Sequence, residues 1–247
     1  MRGAAPGTRE TDLLDPVNMV ERIHALVLAG GSAYGLESAS GVMACLEEEN
    51  IGFQVGPGLV VPIVPAAVIF DLSVGNPRIR PTKAWGYKAC KSANDSPVKS
   101  GNIGAGLGAT VGKILGQERA MKGGLGSFVM DLPGGIQVGA IVVVNAFGDV
   151  VDPETGEINA RLSKIQLRKV AQMSHNGLAR AIRPAHTLFD GDTVFAVSIP
   201  RKDLHGDPGK NLMTIAVAAE KVLEKAILLA VERAETTAGI PASHDWK

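Results

Sequence analysis

Apolar residues recur along this chain at two spacings, and the switch between them marks out the elements. Leu36, Ala39, Met43 and Leu46 fall three or four apart, predicting a helix that leaves the glycine turn at Gly30 to Gly35 and runs through about Glu49. Leu167, Val170, Ala171, Ser174, Leu178, Ala181 and Ile182 repeat that spacing, and Pro184 ends the helix they form. The last helix, from about Lys210 to Glu235, carries a stripe from Leu212 to Val231 wide enough to lie on a sheet, and Gly239 and Pro241 close it. Shorter apolar runs read as strands: His24 to Ala29, Ala67 to Leu72, and Ser127 to Leu132 paired through Pro133-Gly134-Gly135 with Ile136 to Phe147. Another run follows Asp192 and reaches Ile199. Asp15-Pro16 looks like an N-cap and first-turn proline opening a short helix through Arg22, and Trp85 to about Ala93 reads as a second short helix. Val151 to Ile158 and Pro200 to Pro208 are polar turn and loop stretches. Consecutive strands with long helices at separate points predict a sheet layer covered by helices, an α/β (α+β) domain over residues 1 to 247.

Composition narrows the partners. Lys plus Arg and Asp plus Glu both number 25 in 247 residues, so no basic surplus points to nucleic acid and no acidic run to a disordered tail. No apolar run reaches the length of a membrane span, and Met1 to Gly7 lacks the apolar core of a signal peptide. The expectation is a cytoplasmic protein with a small-molecule or peptide ligand. Cys45 and Cys90 lie in helical segments without Cys-x-x-Cys spacing, which predicts reduced thiols rather than a disulfide or a metal site.

The candidate chemistry collects in four stretches. Gly101 to Lys113 imitates a P-loop, but Leu107 stands where that pattern needs glycine and Ile114 where it needs Ser or Thr. Lys122-Gly-Gly-Leu-Gly126 leads into the predicted hairpin. Asn145 is an amide at the end of an otherwise apolar strand, either capping the next turn or aiming donors at a developing oxyanion. Asp190 and Asp192 flank a glycine; they are a turn, or two carboxylates side by side at the mouth of a strand. A divalent-metal reading of that pair needs a third oxygen ligand that the sequence does not identify, and His175 and His186 lack metal-ligand spacing.

Taken in order, Leu28-Ala-Gly-Gly-Ser-Ala-Tyr-Gly-Leu36, Val61 to Leu72, Lys122 to Gly126, Val144-Asn-Ala-Phe-Gly148 and Gly177 to Pro184 followed by Asp190-Gly-Asp192 resemble one family over nearly the whole chain. It comprises the L-aminopeptidase/D-Ala-esterase/amidases, the β-peptidyl aminopeptidases and the aminohexanoate-oligomer (nylon-oligomer) hydrolases. The resemblance implies an α-β-β-α sandwich like that of N-terminal-nucleophile hydrolases, made as a precursor that cleaves itself before a Thr or Ser. The freed hydroxyl then attacks an amide, and the new α-amine, whose ordinary pKa is roughly 7.7–8.0, takes its proton. It also implies roles: Asn145 as oxyanion donor, Lys122 near the nucleophile with Lys113 as the other lysine available, Asp190 and Asp192 orienting nucleophile and amine, and Phe70 and Tyr34 lining the substrate. No metal or cofactor is implied, and a homo-oligomer, a tetramer in relatives, is. Two departures stand out: a first strand region expected ahead of Met1 is absent, and no asparagine is followed by Thr, Ser or Cys. Gly156-Glu-Ile158 runs straight into Asn159-Ala-Arg-Leu162, so a linker and the nucleophile strand are expected to be missing at the 158/159 junction. Either the protein is an amide hydrolase whose nucleophile lies outside this sequence, or it is a catalytically incomplete homologue that folds and oligomerises.

Overall fold

The computed structural model describes residues 1–150, 162–199 and 206–246. The predicted turn stretch at 151–158, the 158/159 junction and residues 200–205 of the loop predicted from Pro200 to Pro208 lie outside the described residues. Two compact units divide the chain: Gly7–Pro97, and Met1–Pro6 together with Val98–Lys247.

In the Gly7–Pro97 unit, strands β1 (Thr8–Arg9) and β2 (Val27–Ala29), helix α1 (Ser38–Glu48), the hairpin β3 (Phe53–Gly56) and β4 (Leu59–Val61), strand β5 (Ala66–Val68) and helix α2 (Lys83–Lys91) follow in order. β5 is the centre of a three-stranded sheet, antiparallel to β1 and parallel to β2. A 3-10 turn over Ser32–Glu37 feeds α1, whose apolar stripe lies where the spacing predicts: Ala39 and Val42 pack with Val64 and Ala66, and Leu36, Met43 and Leu46 flank them. α1 and α2 meet backbone to backbone, because a Cβ on Gly41 would stand 1.9 Å from the Lys83 carbonyl oxygen and one on Gly86 1.8 Å from that of Ser38. Cys45 and Cys90 sit across this contact and form a disulfide, with Cα atoms 6.4 Å apart. That corrects the expectation of reduced thiols, which took spacing along the sequence as the guide when the two helices bring the residues together in space.

The short helix expected from Asp15 to Arg22 is not formed. Asp15 does accept from the Val17 amide at 3.2 Å, but Val17 and Met19 are 88% and 79% exposed, so no buried face carries the cap signal into a helix.

In the second unit, β6 (Thr110–Val111) pairs with β7 (Met121–Lys122), and β8 (Gly124–Leu132) pairs in continuous antiparallel register with β9 (Ile136–Val144). This is the predicted hairpin. β10 (Asp149–Val150), α3 (Lys164–Ala181), β11 (Ile182–Arg183) and α4 (Pro208–Glu232) complete it. α4 lies on the strand backbone of β8, since a Cβ on Gly126 would stand 1.8 Å from the Ala226 oxygen and one on Gly124 2.4 Å from that of Ala230. Gly124 and Gly126 of the Lys122 to Gly126 motif therefore serve helix-on-strand packing, whereas Gly123 admits the Val144 carbonyl oxygen, which would stand 2.0 Å from a Cβ there. α3 runs beside α4 through Gly177, and Arg180 binds Glu220 at 2.7 Å and also Glu224, whose carboxyl is pushed up by burial against the pull of the guanidinium. Val144, Ala146, Leu178, Ile182, Leu223 and Ile227 share one core.

The apolar run at 193–199 departs from expectation: it is not a strand. Val194 and Ala196 pack inward, Val197 and Ile199 stay exposed, and no ladder partner lies beside it among the described residues. Alternation alone does not make a strand without a neighbour to accept its hydrogen bonds.

Candidate active site

Asn145 is the first residue beyond β9, and its amide oxygen is claimed from two sides. Thr110 N donates to Oδ1 at 3.0 Å and Lys113 Nζ at 3.0 Å, with Nζ also 3.4 Å from the Asn145 carbonyl. These contacts orient the amide through Oδ1, its acceptor; Nδ2 is its donor branch. From Asn145 the chain threads a slot: Gly112 N donates to the Gly148 oxygen at 3.0 Å and Lys113 N to that of Phe147 at 2.9 Å. On the other side, a Cβ on Gly148 would meet the Pro184 oxygen at 2.2 Å, which is why glycine stands there. Phe147 N donates to Asp190 Oδ1 at 3.2 Å. Residue by residue, hydrogen bonds thus link Asn145 to Lys113 Nζ, Lys113 N to the Phe147 oxygen, and Phe147 N to Asp190.

Asp190 is buried, and its Oδ2 accepts from Thr187 N at 3.0 Å and Thr187 Oγ1 at 2.8 Å. The turn of this stretch is at Leu188 and Phe189, so Asp190-Gly191-Asp192 itself is not the turn. Instead it lies against the first residues of the chain, Ala5 N donating to the Asp190 oxygen at 2.9 Å and Arg2 N to that of Asp192 at 2.8 Å. Gly191 is required because a Cβ there would stand 2.4 Å from the Ala5 oxygen. Asp192 Oδ2 accepts from His186 N at 2.9 Å and lies 2.7 Å from His186 Nδ1. Burial holds the Asp192 carboxyl above the usual range, the His186 side chain draws it down, and the charge of Asp190 raises it again. His175 packs edge-on to His186, with ring centroids 5.1 Å apart, and its buried Nδ1 has no hydrogen-bond partner among the described residues.

Lys122 is fully buried, and its Nζ donates to the carbonyls of Leu107 and Ala109, both at 2.8 Å. It props the loop whose next residue, Thr110, holds Asn145, whereas Lys113 reaches Asn145 directly. Among the described residues, no cluster of three or more His, Cys, Asp and Glu is arranged to hold a metal ion, so the metal reading of Asp190 and Asp192 finds no third ligand of those types there. Tyr34 and Phe70 belong to the other unit. Both follow the C-terminal ends of the parallel strands β2 and β5, where Asp71 Oδ1 accepts from Gly31 N at 2.6 Å and Arg80 lies 3.8 Å over the Tyr34 ring. Phe147 and Thr187 were not singled out by the sequence; a phenylalanine in an apolar run and a threonine before a turn carry no signal of their own.

The model of peptidase family S58 matches residues 1–154 and 155–244. The chain belongs to peptidase family S58. An uncharacterized aminopeptidase of Mycobacterium leprae is 42% identical over 297 aligned positions, covering 97% of this chain and 80% of that protein. A 6-aminohexanoate-oligomer endohydrolase of a Kocuria species is 29% identical over 258 positions, 85% of this chain and 72% of that one. Among solved structures, the L-aminopeptidase D-Ala-esterase/amidase of Ochrobactrum anthropi, described as a variant of the Ntn hydrolase fold, superposes with a TM-score of 0.61 at 20% identity, over 84% of this chain and 66% of that one. The S58 chain thus has the α-β-β-α fold of Ntn-type aminopeptidases. Its alignment to the Mycobacterium leprae relative has 297 positions against 247 residues here, so at least 50 positions of the aligned span have no counterpart in this S58 sequence.

Proposed function

We propose that this S58 peptidase hydrolyses amide bonds of small peptides or oligoamides by a self-processing route, with Asn145 Nδ2 as oxyanion donor and Lys113, rather than Lys122, as the lysine beside it. The reading is carried by the hydrogen-bonded path from Lys113 and Asn145 through the Phe147 backbone to Asp190. In this scheme a Thr or Ser at a new N-terminus gives up its hydroxyl proton to its own amine and its oxygen attacks the amide carbon. The amine passes the proton to the leaving nitrogen, and water then frees the acyl group. Asp190 and Asp192 orient the nucleophile and the amine, and Lys122 supports the Asn145 loop. Oligomers of 6-aminohexanoate and aminoacyl anilides are the substrates to assay. One oxyanion donor is worth about 2.7–4 kcal/mol, so Asn145→Ala lowers kcat at least about 100-fold in protein that turns over. A near-native kcat in that variant rejects the assignment.

One observation favours a second reading, a homologue that folds without hydrolysing. The sequence has no Asn followed by Thr, Ser or Cys, and the family match divides at 154/155, close to the 158/159 junction where the nucleophile segment is expected to be missing. Intact-mass measurement of the denatured protein separates the two. A single species of 25.7 kDa supports the incomplete homologue, and two fragments of larger summed mass support self-cleavage. We further place the protein in the cytoplasm as a homo-oligomer, a tetramer as in relatives. Sedimentation tests the assembly, and cell fractionation with thiol trapping tests a compartment in which the Cys45–Cys90 bond would face a reducing pool.

A further inference from the structure

The polar path at the candidate site has an apolar flank. Phe147 is fastened by its backbone on both sides, donating to Asp190 Oδ1 at 3.2 Å and accepting from Lys113 N at 2.9 Å, so its ring is tied to the same groups as Asn145. That ring meets Phe189, with centroids 5.3 Å apart and planes inclined by 35°. Phe189 sits in the turn that Thr187 and Asp190 hold closed through Oγ1, N and Oδ2, and Phe189 N itself lies 3.3 Å from Thr187 Oγ1. Yet Phe189 is 74% exposed and Leu188 beside it 77%. A turn that only reversed the chain would carry polar residues at its tip. Here two large apolar side chains are held in water next to Asp190, on a turn too well anchored to fold them away, and an apolar group laid against them would recover that hydrophobic free energy.

We propose that Phe147, Phe189 and Leu188 form a substrate wall that receives the hydrocarbon part of an amide whose carbonyl lies at Asn145. The class selected is an amide bearing an aliphatic chain or a large apolar side chain, in preference to glycyl amides. This rests on the reading of Asn145 and Asp190 as the catalytic shell.

Two matched ligands test it, the linear dimer of 6-aminohexanoate and glycylglycine, which share amine, amide and carboxylate and differ in methylene count. Binding is measured calorimetrically on the full chain; where the dimer is cleaved, KM replaces affinity. Phe189→Ala is expected to weaken the aminohexanoate dimer about 10-fold and change glycylglycine less than about twofold, with Phe189→Leu recovering part of the loss. An unchanged melting temperature in both variants, expected for so exposed a side chain, shows that the fold is intact. If Phe189→Ala leaves the dimer's affinity unchanged while Asn145→Ala weakens both ligands, the wall is overturned and the catalytic reading stands. If neither ligand binds the wild-type protein, both fall. If Phe189→Ala or Leu188→Ser dissociates an oligomer without changing affinity, the patch is a subunit contact and the proposal is overturned.

Discussion

Lys122 shows how a single charge can be structural at one remove from chemistry. Its ammonium is fully buried and satisfies the Leu107 and Ala109 carbonyls, so Lys122→Met keeps the stem and strands two acceptors. Stability should fall by about 1–3 kcal/mol, read as a lower denaturant midpoint at unchanged slope. An unchanged midpoint would show that the loop finds other donors. His175 makes a different prediction. Burial, with the positive N-terminus, His186 and Arg2 adding to it, pushes its pKa down to about 4 from 6.5. Between those values the unfolded chain binds a proton at this position that the folded chain refuses, so the His175 contribution destabilises the fold progressively as pH falls from 6.5 towards 4. Asp192 and Glu224, whose carboxyls are raised, act in the opposite sense, since the folded state keeps their protons longer as pH rises. Comparing wild type with His175→Asn at pH 7.5 and 4.5 isolates the histidine: the wild type should lose more stability on acidification, and equal losses reject the assignment.

Elements with both a period and a partner were legible in the sequence. The β8–β9 hairpin appears where alternation and Pro133-Gly134-Gly135 put it, and the stripes of α1, α3 and α4 are their buried faces. Asn145 could be picked out as a polar group at a strand end and Asp190 and Asp192 as a carboxylate pair about a glycine, in the order of one family, although the strand expected after Asp192 is not formed. What could not be read was which lysine meets Asn145, because Lys113 and Lys122 differ only by how the loop at 107–115 folds. Nor could the role of the hairpin's glycines, which depends on α4, a hundred residues later in the chain. Gly126→Ala tests that role: with the Ala226 oxygen 1.8 Å from the new Cβ, α4 must shift along its contact with β8. The expected cost is at least about 3 kcal/mol, seen in the unfolding midpoint, whereas Gly58→Ala, at a hairpin turn where no atom lies within 4 Å, should cost less despite its positive φ. A mild Gly126→Ala would mean the helix-strand contact is loose.

At the scale of the whole molecule, one covalent bond and one uncovered segment set the behaviour in solution. Cys45 and Cys90 are the only cysteines, so iodoacetamide should add no mass to the unreduced, denatured protein and two adducts after reduction. The bond closes a loop of 45 residues, and its loss should cost about 4 kcal/mol in the chain-entropy picture, lowering the melting temperature in reductant. Labelling without reductant would remove the disulfide from the description. The segment at 193–199 has a colloidal consequence. Val197 and Ile199 present apolar side chains on a stretch that has no ladder partner among the described residues, on a chain whose formal charge is zero at pH 7. Little long-range repulsion keeps two copies apart at the pH where that stretch is offered to a neighbour. Shelf life at high concentration should therefore be shortest near neutrality and lengthen as the buffer moves a unit or two to the alkaline side, which sets the conditions for concentrating or crystallising the protein.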